Sequence, residues 1–110
     1  MPITVITRLT ITKGKEAEFE TIMKGRFSGP SAKGSRGYRL LRSHNNPQVY
    51  LQVGFWGSKE ERERLSKQHG PLQQIIGKTG PVLAKTPVTA WYEVAAEKDE
   101  GGELRFYGTV

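Results

Sequence analysis

The segment VYLQVGFWGSKEERERLSKQHGP, residues 49–71, decides the fold of this chain. Apolar residues occupy alternate positions in its first part: Val49, Leu51, Val53 and Phe55. Alternation of this kind is the period of a β-strand, so we expect a strand that ends at Trp56. Ser58 follows, and Glu61 lies three residues further on, which is the spacing of a capping box at a helix N-terminus. A helix is therefore predicted to begin at about Lys59.

Pro71 predicts where this helix ends. Proline has no backbone N–H and would clash with the carbonyl oxygen four residues before it, so the helix should stop near His69 and restart at Pro71. The restarted piece has apolar residues at helical spacing: Leu72, Ile75 and Ile76. Gly80-Pro81 predicts a second break. His69 is thus expected at a helix end, beside a bend.

The first part of the chain predicts a strand and a helix. Alternation indicates a strand from about Ile3 to Thr12, and it places the polar Thr7 within the apolar stripe. After a turn at residues 13–15, apolar residues recur at helical spacing: Phe19, Ile22, Met23 and Phe27. Residues 25–37 are rich in Gly and Ser and have no period, so a loop is expected there.

The remaining strands follow from the same alternation. Residues 38–43 should pair with residues 49–55 in an antiparallel hairpin, because the link between them is rich in turn residues. A fourth strand is predicted from Val88 to Val94, with one face formed by Val88, Ala90, Tyr92 and Val94. Alternation of Leu104 and Phe106 allows a short fifth strand in the tail.

The element order β-α-β-β-α-β is typical of a ferredoxin-like α+β fold, an antiparallel sheet with both helices on one face. We expect one domain over residues 1–94 and a tail over residues 95–110. Strand parity predicts that Trp91, together with either Trp56 or Phe55, lies on the sheet face without helices. An apolar face of this size usually has a partner, so a homodimer that packs sheet against sheet is expected.

Composition excludes several function classes. The chain has 110 residues, no Cys and two His, so thiolate catalysis is excluded and a metal site is not expected. No apolar run approaches the length of a membrane span, and the first residues alternate like a strand rather than a signal peptide, so we expect a cytoplasmic protein. The net charge of +6 is uneven, with a basic segment over residues 24–42, which we interpret as a solvated face.

Three segments carry a resemblance to a known family: ITRLTITKGKEAEF, GYRLLRSHNNPQVYLQVGFW and GSKEERERL. Over about residues 3–94 the chain resembles the antibiotic biosynthesis monooxygenase family of dimeric α+β barrels. The resemblance implies a homodimer and cofactor-free oxygenation of phenolic or quinol-like molecules. It places Thr7, Leu65 and Ile75 where a haem-degrading branch has Asn, Trp and His, and without an imidazole ligand haem is not expected.

The resemblance also suggests the residues of a site. In such oxygenation a base removes a proton from an electron-rich phenol or enol, and the anion passes an electron to dioxygen. His69 is the candidate base and Trp56 a candidate catalytic wall. Contacts to a small aromatic substrate are expected from six further residues: Thr7, Phe19, Met23, Phe27, Tyr50 and Leu65. Neither a metal nor another cofactor is expected.

Structural roles and other functions compete with this interpretation. His69 could simply bond the last carbonyl groups of its helix, and Trp56 could be core or dimer packing. A non-catalytic small-molecule-binding or stress-response protein is an alternative, because the fold does not determine the function. RNA binding uses the same strand order, but QVGFWGS lacks the required aromatic string, so nucleic acid is not an expected partner.

Overall fold

The structure is a computed structural model that describes residues 2–29, 33–69 and 79–107, with the backbone alone for residues 65–69. Its elements are β1 (Ile3–Thr10), α1 (Glu16–Phe27), β2 (Ser35–Arg42), β3 (Val49–Trp56), α2 (Lys59–His69), a short 3-10 helix (Gly80–Val82), β4 (Val88–Glu93), β5 (Ala96–Lys98) and β6 (Leu104–Phe106). The predicted restart of α2 at Pro71, with Leu72, Ile75 and Ile76, lies outside the described residues.

Four strands form one antiparallel sheet in the order β2-β3-β1-β4. Strand β1 is an inner strand, with β3 on one side and β4 on the other. It pairs along its length with β3, from Ile3 opposite Trp56 to Thr10 opposite Val49. This order is that of the ferredoxin-like fold, so the predicted α+β fold class is confirmed.

Both described helices pack on the sheet face that carries the odd-numbered residues of β1. Helix α1 contributes Phe19 and Met23 to a buried cluster with residues of β1, β3 and the 3-10 helix: Leu9, Ile11, Tyr50 and Val82. A second buried cluster contains Ile3, Val5 and Trp56, with Tyr38 packed against it. The helix-side core is therefore divided into two apolar parts.

Helix α2 starts as the capping box predicts. The backbone N–H of Glu61 donates to the Ser58 side-chain oxygen at 3.2 Å, which satisfies one free donor of the first turn. The Glu61 carboxylate lies against the glycine before β2, where a Cβ on Gly34 would overlap it. This contact joins the start of α2 to the start of β2.

The predicted face of Trp91 is wrong. Trp91 pairs with Val5 in the β1–β4 ladder, and Val5 faces the helices, so Trp91 faces them too. Strand β4 has apolar residues on both faces, and its pairing with β1 decides which of them points inward. Either Phe55 or Trp56 was predicted to lie on the face without helices. Phe55 pairs with Thr4 and lies on that face, while Trp56 lies on the helix side.

The tail forms a two-stranded antiparallel sheet of its own, in which β5 pairs with β6. The Tyr107 hydroxyl group donates to the Glu97 carboxylate at 2.6 Å across this hairpin. Both apolar side chains of β6, Leu104 and Phe106, are exposed. Within the described part of the chain, this hairpin is not hydrogen-bonded as a further strand of the main sheet.

Candidate functional site

A row of polar side chains crosses the helix side of the sheet between the two apolar clusters. The register pairs Thr7 of β1 with Gln52 of β3 on one side and with Thr89 of β4 on the other. Gln52 is paired in turn with Leu40 of β2. The strand pairing thus brings three polar side chains to the middle of an apolar face, and we call Gln52, Thr7 and Thr89 the polar row.

One member of the polar row has an unsatisfied acceptor. Thr7, which is 4% exposed, shares a hydrogen bond of 3.0 Å with Thr89 through their hydroxyl oxygens. Among the described residues, the buried Oε1 of Gln52 has no hydrogen-bond partner. A buried acceptor without a donor costs about 1–3 kcal/mol, which a donor on a bound molecule would recover.

Aromatic side chains form a wall beside the polar row. The ring of Trp56 is buried and meets the Tyr38 ring edge-on, with the ring centroids 6.5 Å apart. Gly54 lies between them on the sheet, and a Cβ there would be 3.2 Å from the Trp56 ring nitrogen. The Phe27 ring stacks on Tyr38 at 5.4 Å. The absence of a side chain at Gly54 thus leaves room for the indole over the sheet.

Arg62 of α2 carries a guanidinium group into this wall. The group lies 5.6 Å from the ring centroid of Trp56 and 5.6 Å from that of Trp91, and the residue is 7% exposed. Burial lowers the pKa of Arg62, and the nearby Tyr38 acts in the opposite direction. Cation–π contacts with two indoles offset part of the cost of removing this charge from water.

A second cation, Arg26 of α1, lies in the same region. Burial lowers the pKa of Arg26; Tyr38 raises it, and the charge of Arg62 lowers it again. Both guanidinium groups therefore lie near enough to Tyr38 for it to raise their pKa.

Three of the predicted substrate-contacting residues lie in the larger apolar cluster. Phe19, Met23 and Tyr50 pack there, and the ring centroids of Phe19 and Tyr50 are 4.8 Å apart. The Tyr50 hydroxyl group donates to the Glu20 carboxylate at 2.5 Å. Burial, followed by this hydrogen bond and the carboxylate charge, raises the pKa of Tyr50 to about 12. The hydroxyl group is thus directed at α1 rather than at the polar row.

Phe27 has a different position, on a shallow groove of about 330 Å³ between α1 and β2. The groove is lined by Glu20, Thr21, Met23, Lys24, Phe27 and Leu40. Because Leu40 is the partner of Gln52 in the sheet, the groove ends beside the polar row. Phe27 therefore lies where a molecule could reach that row from the edge of the sheet.

The structure describes only the backbone of the predicted base, His69, and of one predicted substrate-contacting residue, Leu65. His69 is the last residue of α2, as the sequence predicts, and Leu65 lies one turn before it. The side chains of both lie outside the described residues, so their roles stay predictions. Thr7 and Trp56, by contrast, lie on the same sheet face beside the polar row and the aromatic wall.

The sequence pattern alone does not reveal Gln52, Thr89, Arg62 or Trp91 as parts of the site. One signal could have found Gln52 and Thr89: the polar Thr7 in an apolar stripe implies polar partners on the neighbouring strands. Arg62 had no such signal, because it stands in the charged run KEERER, typical of a solvated helix.

The described residues lack the features of a metal site and of a membrane span. They contain no group of three His, Cys, Asp or Glu side chains that could hold a metal ion. No described helix combines the length and the apolar character needed to span a membrane.

Comparison with known proteins identifies related chains. A family model described as antibiotic biosynthesis monooxygenase matches residues 2–68, more than half of the chain. A solved structure from Bordetella bronchiseptica, assigned to the same type of protein, is 26% identical, covers 84% of this chain and 96% of its own, and has a TM-score of 0.69. No curated protein is similar enough to count as a match.

Two more distant structures have the same fold. A protein from Mycobacterium tuberculosis is 14% identical, covers 90% of this chain and 100% of its own, and has a TM-score of 0.72. A mutant of SnoaB, a cofactor-independent oxygenase from Streptomyces nogalater, is 21% identical, covers 84% of this chain and 92% of its own, and has a TM-score of 0.67. At these identities the likeness is one of fold.

Proposed function

The chain belongs to the antibiotic biosynthesis monooxygenase family, and on that basis we propose that it is a cofactor-independent monooxygenase acting on a flat, phenol- or quinol-like molecule. The observation that carries the proposal is the buried Oε1 of Gln52, which has no donor among the described residues. A phenolic or enolic hydroxyl group is the donor that would satisfy it. Trp56 supplies a flat apolar surface beside it.

The polar row then orients the substrate. The substrate hydroxyl group donates to Gln52, and the hydrogen-bonded pair Thr7 and Thr89 lies next to it on the sheet. Both hydroxyl groups can also accept or donate a further bond to a substrate oxygen. The two apolar clusters on either side exclude water, which strengthens these interactions.

The reaction needs a base and dioxygen. His69, at the end of α2, is the proposed base, because an imidazole can accept a proton near neutral pH. Removal of the hydroxyl proton gives an anion that transfers an electron to dioxygen. Anthrone, as the substrate, reacts through its enol tautomer, and its central CH2 becomes a carbonyl: one oxygen atom enters the product, the other leaves with both hydrogens as water, and the four electrons taken from the carbon reduce the dioxygen.

The proposed functional unit is a homodimer. The sheet face without described helices carries apolar residues on all four strands: Ile6, Leu41, Leu51, Phe55, Val88 and Tyr92. Leu41, Val88 and Tyr92 are 46%, 65% and 55% exposed, respectively. A second copy that packs on this face would bury it by a two-fold contact.

Anthrone oxidation tests the proposed reaction. We expect the parent protein to consume oxygen and form anthraquinone in equal amounts, above the rate in buffer, and His69→Ala to lose most of this rate. His44→Ala is the matched control, because His44 is exposed in the hairpin turn. A His69→Ala protein as fast as the parent would exclude the assigned base. Binding of anthrone without oxygen uptake would favour the non-catalytic alternative.

A further inference from the structure

The hairpin of β5 and β6 has an apolar face that its own chain leaves exposed. The ladder places four side chains on this face: Ala96, Lys98, Leu104 and Phe106. Leu104 and Phe106 are 57% and 68% exposed. A two-stranded hairpin by itself is marginally stable in water, and packing of its apolar face is what stabilises it. The hairpin therefore needs a surface to pack on.

The turn of this hairpin is acidic. Three exposed carboxylates lie within residues 99–103: Asp99, Glu100 and Glu103. None of the three forms an ion pair with another described residue. The hairpin thus combines an apolar face with a negatively charged end, and a surface complementary to it is apolar and positively charged.

The sheet face without described helices, here called the open face, has this character. Three exposed apolar residues lie on it: Leu41, Val88 and Tyr92. Two exposed arginines, Arg8 and Arg39, lie on it as well. The four described strands of the sheet place no Asp or Glu on this face. Two copies that pack face to face therefore bring like charges together, and their interface needs carboxylates from another part of the chain.

Two-fold symmetry brings the hairpin to this basic surface. In the order β2-β3-β1-β4, the strands β2 and β4 are the two edges of the sheet, and the hairpin follows β4 in the chain. A two-fold axis that runs along the strands sets β4 of one copy opposite β2 of the other. The hairpin of one copy then leaves its sheet beside the strand of the other copy that carries Arg39 and Leu41.

We propose that the hairpin of β5 and β6 is an arm that packs on the open face of a second copy of this chain. Leu104 and Phe106 cover apolar residues of that face, and the acidic turn lies against Arg39. The inference rests on the homodimer of the proposed function, and it does not depend on the reaction. Each copy gives one arm and receives one, because a two-fold contact is reciprocal.

Hydrogen exchange tests the arm without any variant. The backbone amides of residues 96–106 are followed by mass spectrometry at concentrations below and above the midpoint of dimer formation. We expect them to exchange freely in the monomer and to be protected about tenfold or more in the dimer, because the hairpin alone is marginally stable. Equal protection at both concentrations, or none in the dimer, would overturn the inference, and so would a parent that stays monomeric.

Variants of the full chain test the apolar contact. Leu104→Ser combined with Phe106→Ser should weaken the dimer about tenfold or more in sedimentation equilibrium, because apolar area is no longer buried. Arg105→Gln is the control, since Arg105 lies on the other face of the hairpin, and it should leave the dimer unchanged. A dimer as tight in the Ser variant as in the parent would contradict the contact.

Charge reversal tests the position of the acidic turn. Glu100→Lys combined with Glu103→Lys should weaken the dimer, and the addition of Arg39→Glu should recover part of the loss. Without any recovery, the turn does not lie against Arg39. A dimer that oxidises anthrone but leaves residues 96–106 unprotected would refute this inference alone. A dimer that protects them but leaves anthrone unchanged would refute the oxygenase function alone.

Discussion

The buried Oε1 of Gln52 has no donor among the described residues, which is a cost in stability that a bound ligand would recover. Gln52→Leu removes the unpartnered acceptor and keeps an apolar side chain of similar size. We expect the free energy of unfolding to rise by about 1 kcal/mol, because a buried polar group without a partner is lost. Affinity for the enol form of anthrone should fall about tenfold, since the enol hydroxyl group loses its acceptor. Thermal unfolding and fluorescence titration measure the two effects.

Gln48→Leu is the matched control for this prediction. The Gln48 amide donates to the backbone carbonyl of Ile11 at 2.9 Å, so its removal breaks a bond that exists in the free protein. We expect Gln48→Leu to lower the free energy of unfolding and to leave anthrone binding unchanged. If both variants destabilise the protein equally, the Gln52 amide is satisfied in solution and the substrate assignment loses its basis.

Tyr50 predicts a dependence of stability on alkaline pH. Burial and the bond to Glu20 raise its pKa to about 12 in the folded protein, against 10.0 for the ordinary side chain. The folded state therefore keeps the proton when the unfolded chain releases it. The stabilisation is complete below pH 10 and is lost progressively as the pH rises towards 12.

The variant Tyr50→Phe isolates this contribution. Below pH 10 it should be less stable than the parent by about 1–2 kcal/mol, because the bond to the Glu20 carboxylate is missing. The difference should shrink between pH 10 and 12, and urea unfolding at a series of pH values measures it. A difference that stays constant over this range would contradict the raised pKa. Tyr92→Phe is the control, as that side chain is exposed.

Single residues were predictable where a residue type broke a pattern. Thr7 is visible in the sequence because a polar side chain interrupts the apolar stripe of β1, and the structure places it buried on that face. Gln52 does not break any pattern, since an amide in a strand is usual on a solvated face. Arg62 is hidden by its charged neighbours, and its burial depends on the indole of Trp91, far away in the sequence, as well as on that of Trp56. Such tertiary contacts leave no local signal.

Between elements, the contact of α2 with the start of β2 depends on a glycine. Gly34 has a φ of +88°, and a Cβ there would overlap the Glu61 carboxylate. We expect Gly34→Ala to lower the free energy of unfolding by about 2–3 kcal/mol, because backbone strain and the clash add. Gly14→Ala, at φ +90° with no atom within 4 Å of the new Cβ, should cost only about 1 kcal/mol.

The double variant Gly34→Ala, Glu61→Ala separates the two causes. Glu61→Ala removes the carboxylate but keeps the Glu61 Cβ, which would lie 2.7 Å from the new Cβ, so the double variant should recover part of the difference between the two glycine positions. Chemical denaturation of the four proteins measures it. Equal losses for Gly34→Ala and Gly14→Ala would mean that Glu61 moves away without cost and that α2 is not held to β2 by this contact.

The elements themselves were predicted well where local chemistry determines them. The Ser58 cap marks the start of α2, and alternation marks β1 and β3. Strand β2 begins at Ser35, earlier than predicted, because a register shift between Ser35 and Tyr38 lets a Gly-rich segment join the ladder. The inward face of β4 was predicted wrongly, since Ala90, Trp91 and Tyr92 make both faces apolar and only pairing with β1 decides between them.

At the scale of the whole molecule, the two faces of the sheet have different roles. One face carries the helices, the polar row and the Arg62 charge, and these belong to one chain. On the other face Phe55 lies under the Arg39 guanidinium group at 5.8 Å, whereas the remaining aromatic residues of β2 and β3, Tyr38, Tyr50 and Trp56, point to the helix side. The two inner strands, β3 and β1, thus bring one aromatic ring to this face, which makes it a poor platform for stacking RNA bases. A protein partner fits it better.

The proposed homodimer is tested on this face. Leu51 is at its centre, paired with Arg8 of β1 and Leu41 of β2. We expect the parent to sediment at twice the chain mass at micromolar concentration and Leu51→Asp to sediment as a monomer, because a charged side chain from each copy would have to lose its hydration at the centre of the two-fold contact. Ala17→Asp on the exposed side of α1 adds the same charge elsewhere and should leave the dimer intact. A parent that remains monomeric at 100 times the concentration used for the anthrone assay, yet oxidises anthrone, would show that one chain suffices for the site.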